Sequence, residues 1–307
     1  MDAPPEARQA DLGQYLVRNG NDGAAVVDRL DSDDLDTFLD QSPSTRVALT
    51  RVDSGDNGFD AAHFIRNTDA EDRAVLDRLD GPTQTRLYLR YGEGDLDASN
   101  LRRIDELIES GDMDQADVQR LLGILETKNR DPFVGDGIDS EDLLNIVDKG
   151  ADLSETRVVT KPDNIFEFGN AGGETPDTLL LENGDVDEGW THIRQRHVTD
   201  TQIDAQGRTS YFPAGQTIKG RTLDGPMESD TDVQRLITRA VENGDPQQGS
   251  RRTVAEYRYS PDPETTGVSD MTVRVTSNGR IIGVFPEEGP NVRVWIRDQN
   301  DWLDNIR

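Results

Sequence analysis

The chain has 307 residues, of which 61 are Asp or Glu and 33 are Lys or Arg, so its formal net charge is −28. At about 150 residues per domain, this length predicts two domains. The absence of cysteine excludes disulfides, thiolate metal sites and cysteine nucleophiles. The absence of any run of about 18 apolar residues argues against membrane insertion.

Apolar residues recur at helical spacing through residues 1–150, which predicts an acidic, all-α helical N-terminal domain. The predicted helices span residues 11–18, 23–30, 33–39, 71–79, 99–109, 115–126 and 140–148. The expected N-caps are Asp31 or Ser32, Asp69, Asp97 and Ser140. Similar pairs of apolar segments recur at offsets of 48 to 49 and then 42 to 43 residues, which favours helix–turn–helix repeats.

The second half of the chain predicts a different architecture. Residues 151–177 are rich in Gly, Pro and polar residues and form the expected linker. Residues 178–307 are predicted to place two helices before a four-stranded antiparallel meander, which makes the overall fold class α+β. The expected elements are helices 187–198 and 229–243 and strands 254–259, 271–276, 280–285 and 292–296, with Asn278-Gly279 as a hairpin turn.

Alternation along the last strands predicts a polar sheet face. Its expected members are Thr272, Arg274, Thr276, Arg293, Trp295 and Arg297. Arginines beside an aromatic residue suit RNA binding, through phosphate pairing and base stacking. The ordinary solvent-exposed face of an antiparallel sheet would show the same pattern, so both interpretations stay open.

Acidity is distributed unevenly along the chain. Residues 1–150 hold 34 acids and 16 bases, whereas residues 190–297 are close to neutral. This contrast favours a polyanionic substrate for the second half, although an acidic binding partner would also explain it. Asp supplies 43 of the acids and Lys only 4 of the bases, a composition similar to that of haloarchaeal proteins. A disordered acidic chain or a nucleic-acid mimic fits less well with the periodic apolar positions.

Two of the three histidines lie five residues apart on the predicted helix 187–198. Their spacing puts His192 and His197 about 140° apart around a helix, which argues against one metal ion held by both. His192 and Arg196 share a face, which pairs a proton-transfer group with a cation able to stabilise a charged phosphorane. The structural alternative is a helix that packs one histidine and solvates the other.

Residues 178–298 resemble the toxin nucleases of the barnase–EndoU–colicin–RelE superfamily, in particular its phage-associated and polymorphic-toxin branches. The resemblance is carried by Leu179-Leu180-Leu181-Glu182-Asn183-Gly184, by Gly189-Trp190-x-His192-Ile193-x-x-Arg196-His197, and by the segment from Gly279 to Pro286. The order of the later helix and the meander is similar as well.

The resemblance implies a metal-independent endoribonuclease without a cofactor, which leaves a 2′,3′-cyclic phosphate and a free 5′-OH. It implies His192 as general base or acid, with Arg196 and His197 completing the helix motif. It further implies Arg274 as a phosphate clamp and Tyr257 or Tyr259 as proton donors or base-stackers. Family members often carry a hydroxyl residue near Gly283, so Thr272 or Thr276 would have to supply it here.

Other functions remain open from the sequence. One is a non-catalytic helical adaptor whose degenerate nuclease-fold domain binds RNA or a protein. Another is a DNA-directed or tRNA-modifying enzyme, since fold does not fix function. The expected partners are RNA, including tRNA, and a cognate immunity or antitoxin protein. Residues 1–6 lack both the basic region and the apolar run of a signal peptide, so we expect a cytoplasmic protein or one exported by a dedicated injection system.

Overall fold

The computed structural model of the chain describes residues 6–55, 58–168, 173–202 and 207–303. Contacts divide the chain into two compact units. The helical unit comprises Met1–Glu126 and Asp139–Gly150, and the mixed unit comprises Thr127–Ile138 and Ala151–Arg307. The predicted α+β class is confirmed, because helices dominate the first unit and antiparallel strands dominate the second.

Short helices make up the first half of the chain. They are α1 Glu6–Val27, α2 Ser32–Asp40, α3 Pro43–Asp53, α4 Ala61–Asn67, α5 Ala70–Arg73, a 3₁₀ helix Ala74–Arg78, α6 Gly81–Gly92, α7 Ala98–Ser110, α8 Gln115–Thr127 and α9 Ser140–Val147. Within the described ranges, no helix combines the length and the apolar character that a membrane span requires.

Aspartate side chains begin many of these helices. Carboxylates accept backbone N–H bonds in the first turn at Asp31, Asp60, Asp69, Asp80, Asp97 and Asp139. Those N–H groups have no partner inside the helix, so each cap contributes about 1 kcal/mol. The predicted caps Asp31, Asp69 and Asp97 are confirmed, whereas Asp139 rather than Ser140 caps α9 through a reciprocal pair with Asp142.

The predicted helices 11–18 and 23–30 correspond to two helical segments within α1, which are separated at Gly20 by a non-helical backbone with φ 57° and ψ −133°. By contrast, α3 and α6 are not among the predicted helices. Both carry a proline in the first turn, where its missing N–H costs nothing: Pro43 directly follows the cap Ser42, and Pro82 lies two residues after the cap Asp80.

The mixed unit is built from short antiparallel strands and two main helices. The strands are β1 Thr156–Thr160, β2 Glu167–Phe168, β3 Gly173–Glu174, β4 Leu179–Glu182, β5 Arg208–Tyr211, β6 Thr217–Ile218, β7 Arg221–Thr222, β8 Asp245–Gln248, β9 Val254–Tyr259, β10 Asp270–Thr276, β11 Ile281–Glu288, β12 Arg293–Ile296 and β13 Asp301–Leu303. The helices are α10 Gly189–His197, α11 Asp230–Asn243 and the short α12 Pro263–Thr266.

The four strands β8 to β11 form a meander in sequence order, and β12 lies between β5 and β13 in a separate three-stranded sheet. Apolar side chains of α10 and α11, including Ile193 and Ile237, share one buried core with Tyr257, Val273 and Val284 of the meander. The helix α10 contacts both β11 and β5. The polar side of α10 therefore faces the place where the two sheets come together.

One predicted strand pairs elsewhere. Residues 292–296 are predicted as the fourth strand of the meander, but β12 pairs with β5. The fourth place is taken by β8, which pairs with β9. Gly289-Pro290 separates β11 from β12, and because proline has no N–H to donate to a ladder, it favours the break between the sheets.

The expected linker is also wrong. Residues 151–177 belong to the mixed unit, where β1 pairs with β4 through Val158–Leu181 and neighbouring pairs. Residues 127–138, expected in the helical domain, join the mixed unit as well, and the Gly135 N–H donates to the Val159 carbonyl at 2.8 Å.

Candidate active site

A cleft of about 240 Å³ lies in the mixed unit where α10 meets β5, β10 and β11. Its lining residues are His192, Arg196, His197, Arg208, Ser210, Arg274, Gly283 and Phe285. The two histidines and Arg196 come from α10, whereas Arg208 and Ser210 come from β5. The cleft thus joins residues that lie more than eighty positions apart in the sequence.

Two glycines shape the turn that leads into α10. Gly184 and Gly189 both have left-handed backbone conformations, with φ 59° and 78°. Their backbones approach so closely that a Cβ on Gly184 would lie 2.2 Å from the Glu188 carbonyl oxygen. This turn places the Val186 carbonyl 2.8 Å from Nδ1 of His192. The glycines of the quoted motif therefore hold the hydrogen-bond acceptor that orients the cleft histidine.

Replacing Gly184 with alanine should destabilise the protein more than an equivalent change elsewhere. Gly215 offers a matched control, because it has φ 75° but open space where a Cβ would stand. The left-handed conformation costs about 1–2 kcal/mol in both variants, and overlap at residue 184 adds about 1–3 kcal/mol. Chemical denaturation checks this, and equal losses of unfolding free energy in Gly184→Ala and Gly215→Ala would contradict the tight turn.

Both cleft histidines donate their Nδ1 proton to a backbone carbonyl. His192 donates to Val186, and His197 donates to Ser210, each at 2.8 Å. In the neutral ring this fixes the tautomer, so Nε2 carries the lone pair and is the nitrogen left to accept a proton. The ring centroids of the two histidines are 6.5 Å apart.

Burial keeps His197 neutral. Only 7% of the surface of His197 is exposed, and this burial lowers its pKa to about 3. The hydrogen bond to Ser210 raises the pKa, whereas the nearby Arg196, His192 and Arg274 lower it further. Its ring lies 5.9 Å from that of Phe285. His192 is only half-buried. Of the two rings, His192 is therefore the one suited to exchange protons with a bound molecule.

The low pKa of His197 makes stability depend on pH. The unfolded histidine takes up a proton below about pH 6.5, but the folded one does so only near pH 3, so the unfolded state binds more protons in this window. Stability is therefore lost as the pH falls from about 6.5 towards 3. In His197→Asn, whose amide can still donate to Ser210, this loss should be smaller. Urea denaturation of both proteins at pH 7, 5.5 and 4 checks this, and parallel pH profiles would contradict it.

The cleft is rich in cations. Arg196 is half-buried with its Nε lacking a hydrogen-bond partner among the described residues, and burial, then Arg297 and Arg274, lowers its pKa. Arg274 lies over the Phe285 ring at 4.9 Å and pairs with a glutamate of the adjacent strand. Arg208 is exposed. Because none of the eight lining residues is acidic, the cleft is suited to bind an anion.

Arg297, which lies near Arg196, is paired with the buried Asp200. Asp200 follows α10 with φ 53°, and its side chain is only 4% exposed. Its carboxylate accepts a hydrogen bond from the Tyr211 hydroxyl at 2.7 Å, and it pairs with Lys219 at 3.1 Å and with Arg297. Arg297 is thus neutralised by Asp200, whereas Arg196 remains available to a ligand.

The structure brings together His192, Arg196, His197 and Arg274, as predicted, but not the other predicted site residues. Tyr257 is fully buried in the core, and its hydroxyl lies 3.2 Å from that of Thr175. Thr272 is also buried and donates to Glu287. These two therefore do not reach the cleft.

The predicted arginine face is divided between two sheets. Trp295 is 7% exposed and packs against Trp302, so it cannot stack on a base. Arg293 donates to the backbone carbonyls of Pro290 and Val292. Thr276 donates to Asn278 in the hairpin turn. On β10 the predicted alternation holds for Arg274 and Thr276, which are half-buried, but not for Thr272, which is buried. The strand β12 pairs in the other sheet and does not extend the same face.

Four cleft residues, Arg208, Ser210, Gly283 and Phe285, were not among the predicted site residues. The segment 208–211 reads only as a short polar stretch, and its partner strand lies far along the chain, so the sequence carried no signal for its position. Phe285 stands within the quoted motif near Gly283. Among the described residues, no group of three or more His, Asp or Glu side chains is placed to hold a metal ion.

No protein-family model matches the chain, and no curated protein matches it either. The function is therefore inferred from the geometry of the cleft.

Proposed function

We propose that the chain is an endoribonuclease that acts through the α10 cleft. One observation carries the proposal: His192, whose Nε2 is left free to accept a proton, lines a cleft with Arg196, Arg208 and Arg274 and no acidic residue. A general base beside several guanidinium groups suits the 2′-OH and phosphate of an RNA strand. DNA offers no 2′-OH for such a base to activate.

The proposed reaction is an internal transfer at phosphorus. His192 Nε2 takes the 2′-OH proton while O2′ bonds to the neighbouring phosphorus and the bond from phosphorus to O5′ breaks. The leaving O5′ takes a proton from solvent or from the His192 imidazolium, which gives a 2′,3′-cyclic phosphate and a 5′-OH. Arg196 and Arg274 stabilise the added negative charge on the phosphorane oxygens. Among the eight lining residues, Ser210 is the one that carries a side-chain hydroxyl.

Binding without cleavage is the second candidate. It is favoured by the hydrogen bonds of His197, whose single ring proton is held by the Ser210 carbonyl, so His197 offers no proton to a leaving group at neutral pH. In that case the mixed unit is an RNA- or protein-binding module. The ribonuclease proposal includes two further parts. One is a toxin role, in which an acidic inhibitor covers the cleft arginines, and the other is a halophilic origin.

The test incubates the full chain with total RNA, with tRNA and with a DNA oligonucleotide, in molar KCl with EDTA. The expected result is RNA fragments that end in cyclic phosphate, detected by resistance to end labelling until the phosphate is removed, and intact DNA. Retention of uncut RNA on the protein would favour the binding module. Cleavage of RNA and DNA alike would exclude a 2′-OH mechanism.

A further inference from the structure

An apolar groove lies in the helical unit, which contributes no residue to the cleft described above. It has a volume of about 690 Å³ and is lined by residues of α1, α3 and α6. Pro43 and Val47 of α3 and Pro82 of α6 give it an apolar floor, and Val47 is 38% exposed. Val17, on α1 beside the lining residue Arg18, is 87% exposed. Exposed apolar surface of this kind marks an interaction site when polar residues surround it.

Arginines surround this groove in an otherwise acidic unit. Arg18, Arg51 and Arg86 line it, and none of its lining residues is acidic. Arg86 pairs with Glu126 at 3.1 Å. Arg18 and Arg51 are exposed and make no ion pair within the part of the chain that the structure describes. We name this surface, lined by Arg18, Arg51, Arg86, Pro43, Val47 and Pro82, the arginine-rimmed groove.

The chemistry of the groove identifies its occupant. The apolar floor requires apolar side chains, and the unpaired guanidinium groups at its rim require carboxylates. A nucleic acid could pair its phosphates with these guanidinium groups but would leave the apolar floor uncovered, and no aromatic residue lines the groove for base stacking. We propose that the arginine-rimmed groove docks an acidic amphipathic helix of a partner protein, in the helix-in-groove mode.

The test measures binding of two labelled peptides to the full chain by fluorescence anisotropy. Both have about 18 residues, or about five helical turns, with Leu on one face. The other face carries Glu in the acidic peptide and Lys in the basic peptide. We expect the acidic peptide to bind at least about tenfold more tightly, and Arg18→Glu combined with Arg51→Glu to weaken it by about tenfold, which corresponds to about 1.4 kcal/mol for two surface ion pairs.

Two further variants make the result specific. Val47→Asp, which changes an exposed side chain, should weaken the acidic peptide without unfolding the unit. Arg251→Glu combined with Arg252→Glu changes the net charge by the same amount at exposed positions of the mixed unit and should leave binding unaltered.

Several results would overturn the proposal. They are equal binding of the two peptides, binding of neither, an equal loss in the Arg251 and Arg252 control, and displacement of the acidic peptide by a single-stranded RNA. Sedimentation that shows a dimer abolished by Val47→Asp would instead assign the groove to a second copy of the chain.

Discussion

Replacing His192 with alanine in the full chain should slow RNA cleavage by about 10²- to 10⁴-fold, the usual contribution of a general acid or base. The half-buried ring has no hydrogen-bond partner at Nε2 among the described residues, and its Nδ1 donates to the Val186 carbonyl. Its loss removes the proton acceptor and leaves the arginines in place. RNA affinity should therefore change far less than the cleavage rate, which single-turnover kinetics and filter binding measure separately.

His63 provides the control for this experiment. It lies exposed on α4 in the helical unit, so His63→Ala should cleave RNA at the wild-type rate. If His192→Ala cleaves RNA at the wild-type rate, the protein is a ribonuclease but His192 is not its general base. Cleavage lost equally in both variants would indicate a defect of the protein preparation rather than of the cleft.

Replacing Arg196 with glutamine should slow cleavage by about 10²- to 10³-fold, because it removes a preorganised donor aimed at the developing charge. Arg196 has a buried Nε without a partner in the described structure, and its burial together with the nearby Arg297 and Arg274 disfavours its charge and lowers its pKa. A bound phosphate would relieve this cost. The variant should therefore be no less stable to urea than the wild type while it binds RNA with a smaller salt dependence.

A matched variant at Arg194, the neighbouring arginine on α10, distinguishes a local effect of Arg196 from a general effect of charge. Arg194 is exposed and pairs with Asp230 on the other side of the helix, where it does not line the cleft. Arg194→Gln removes the same charge from the same helix, so its cleavage rate should stay within about twofold of the wild type if the effect is local. Equal losses in Arg194→Gln and Arg196→Gln would show that the helix binds RNA through bulk charge alone.

Local patterns predicted the parts of the cleft that lie on one element. The helical period and the glycines placed His192, Arg196 and His197 on α10, and the Asn278-Gly279 turn joined the two strands that carry Arg274 and Phe285. In each case the decisive interactions lie within about twenty residues along the chain. Caps of the short helices were readable for the same reason, since a carboxylate and the N–H it accepts are two or three residues apart.

Long-range pairing was the part that local patterns could not supply. Residues 208–211 form a strand only because residues 293–296 come to lie beside them, and neither segment specifies the other in sequence. Once β12 pairs there, Trp295 turns into a small core with Tyr211, and the expected stacking surface disappears. The prediction of a linker over residues 151–177 is wrong for a related reason. The segment β1 forms a strand only because it pairs with β4.

The capping aspartates give the acidic composition a second meaning. An Asn side chain presents the same acceptor oxygen to the first turn of a helix as Asp does, and it caps about equally well. The six capping positions from Asp31 to Asp139 therefore combine two separable properties, a start signal that needs only an oxygen and a negative charge, which at Asp60 and Asp69 also pairs with an arginine. Asparagine at these sites would therefore lower the negative charge of the helical unit without moving the points where its helices begin.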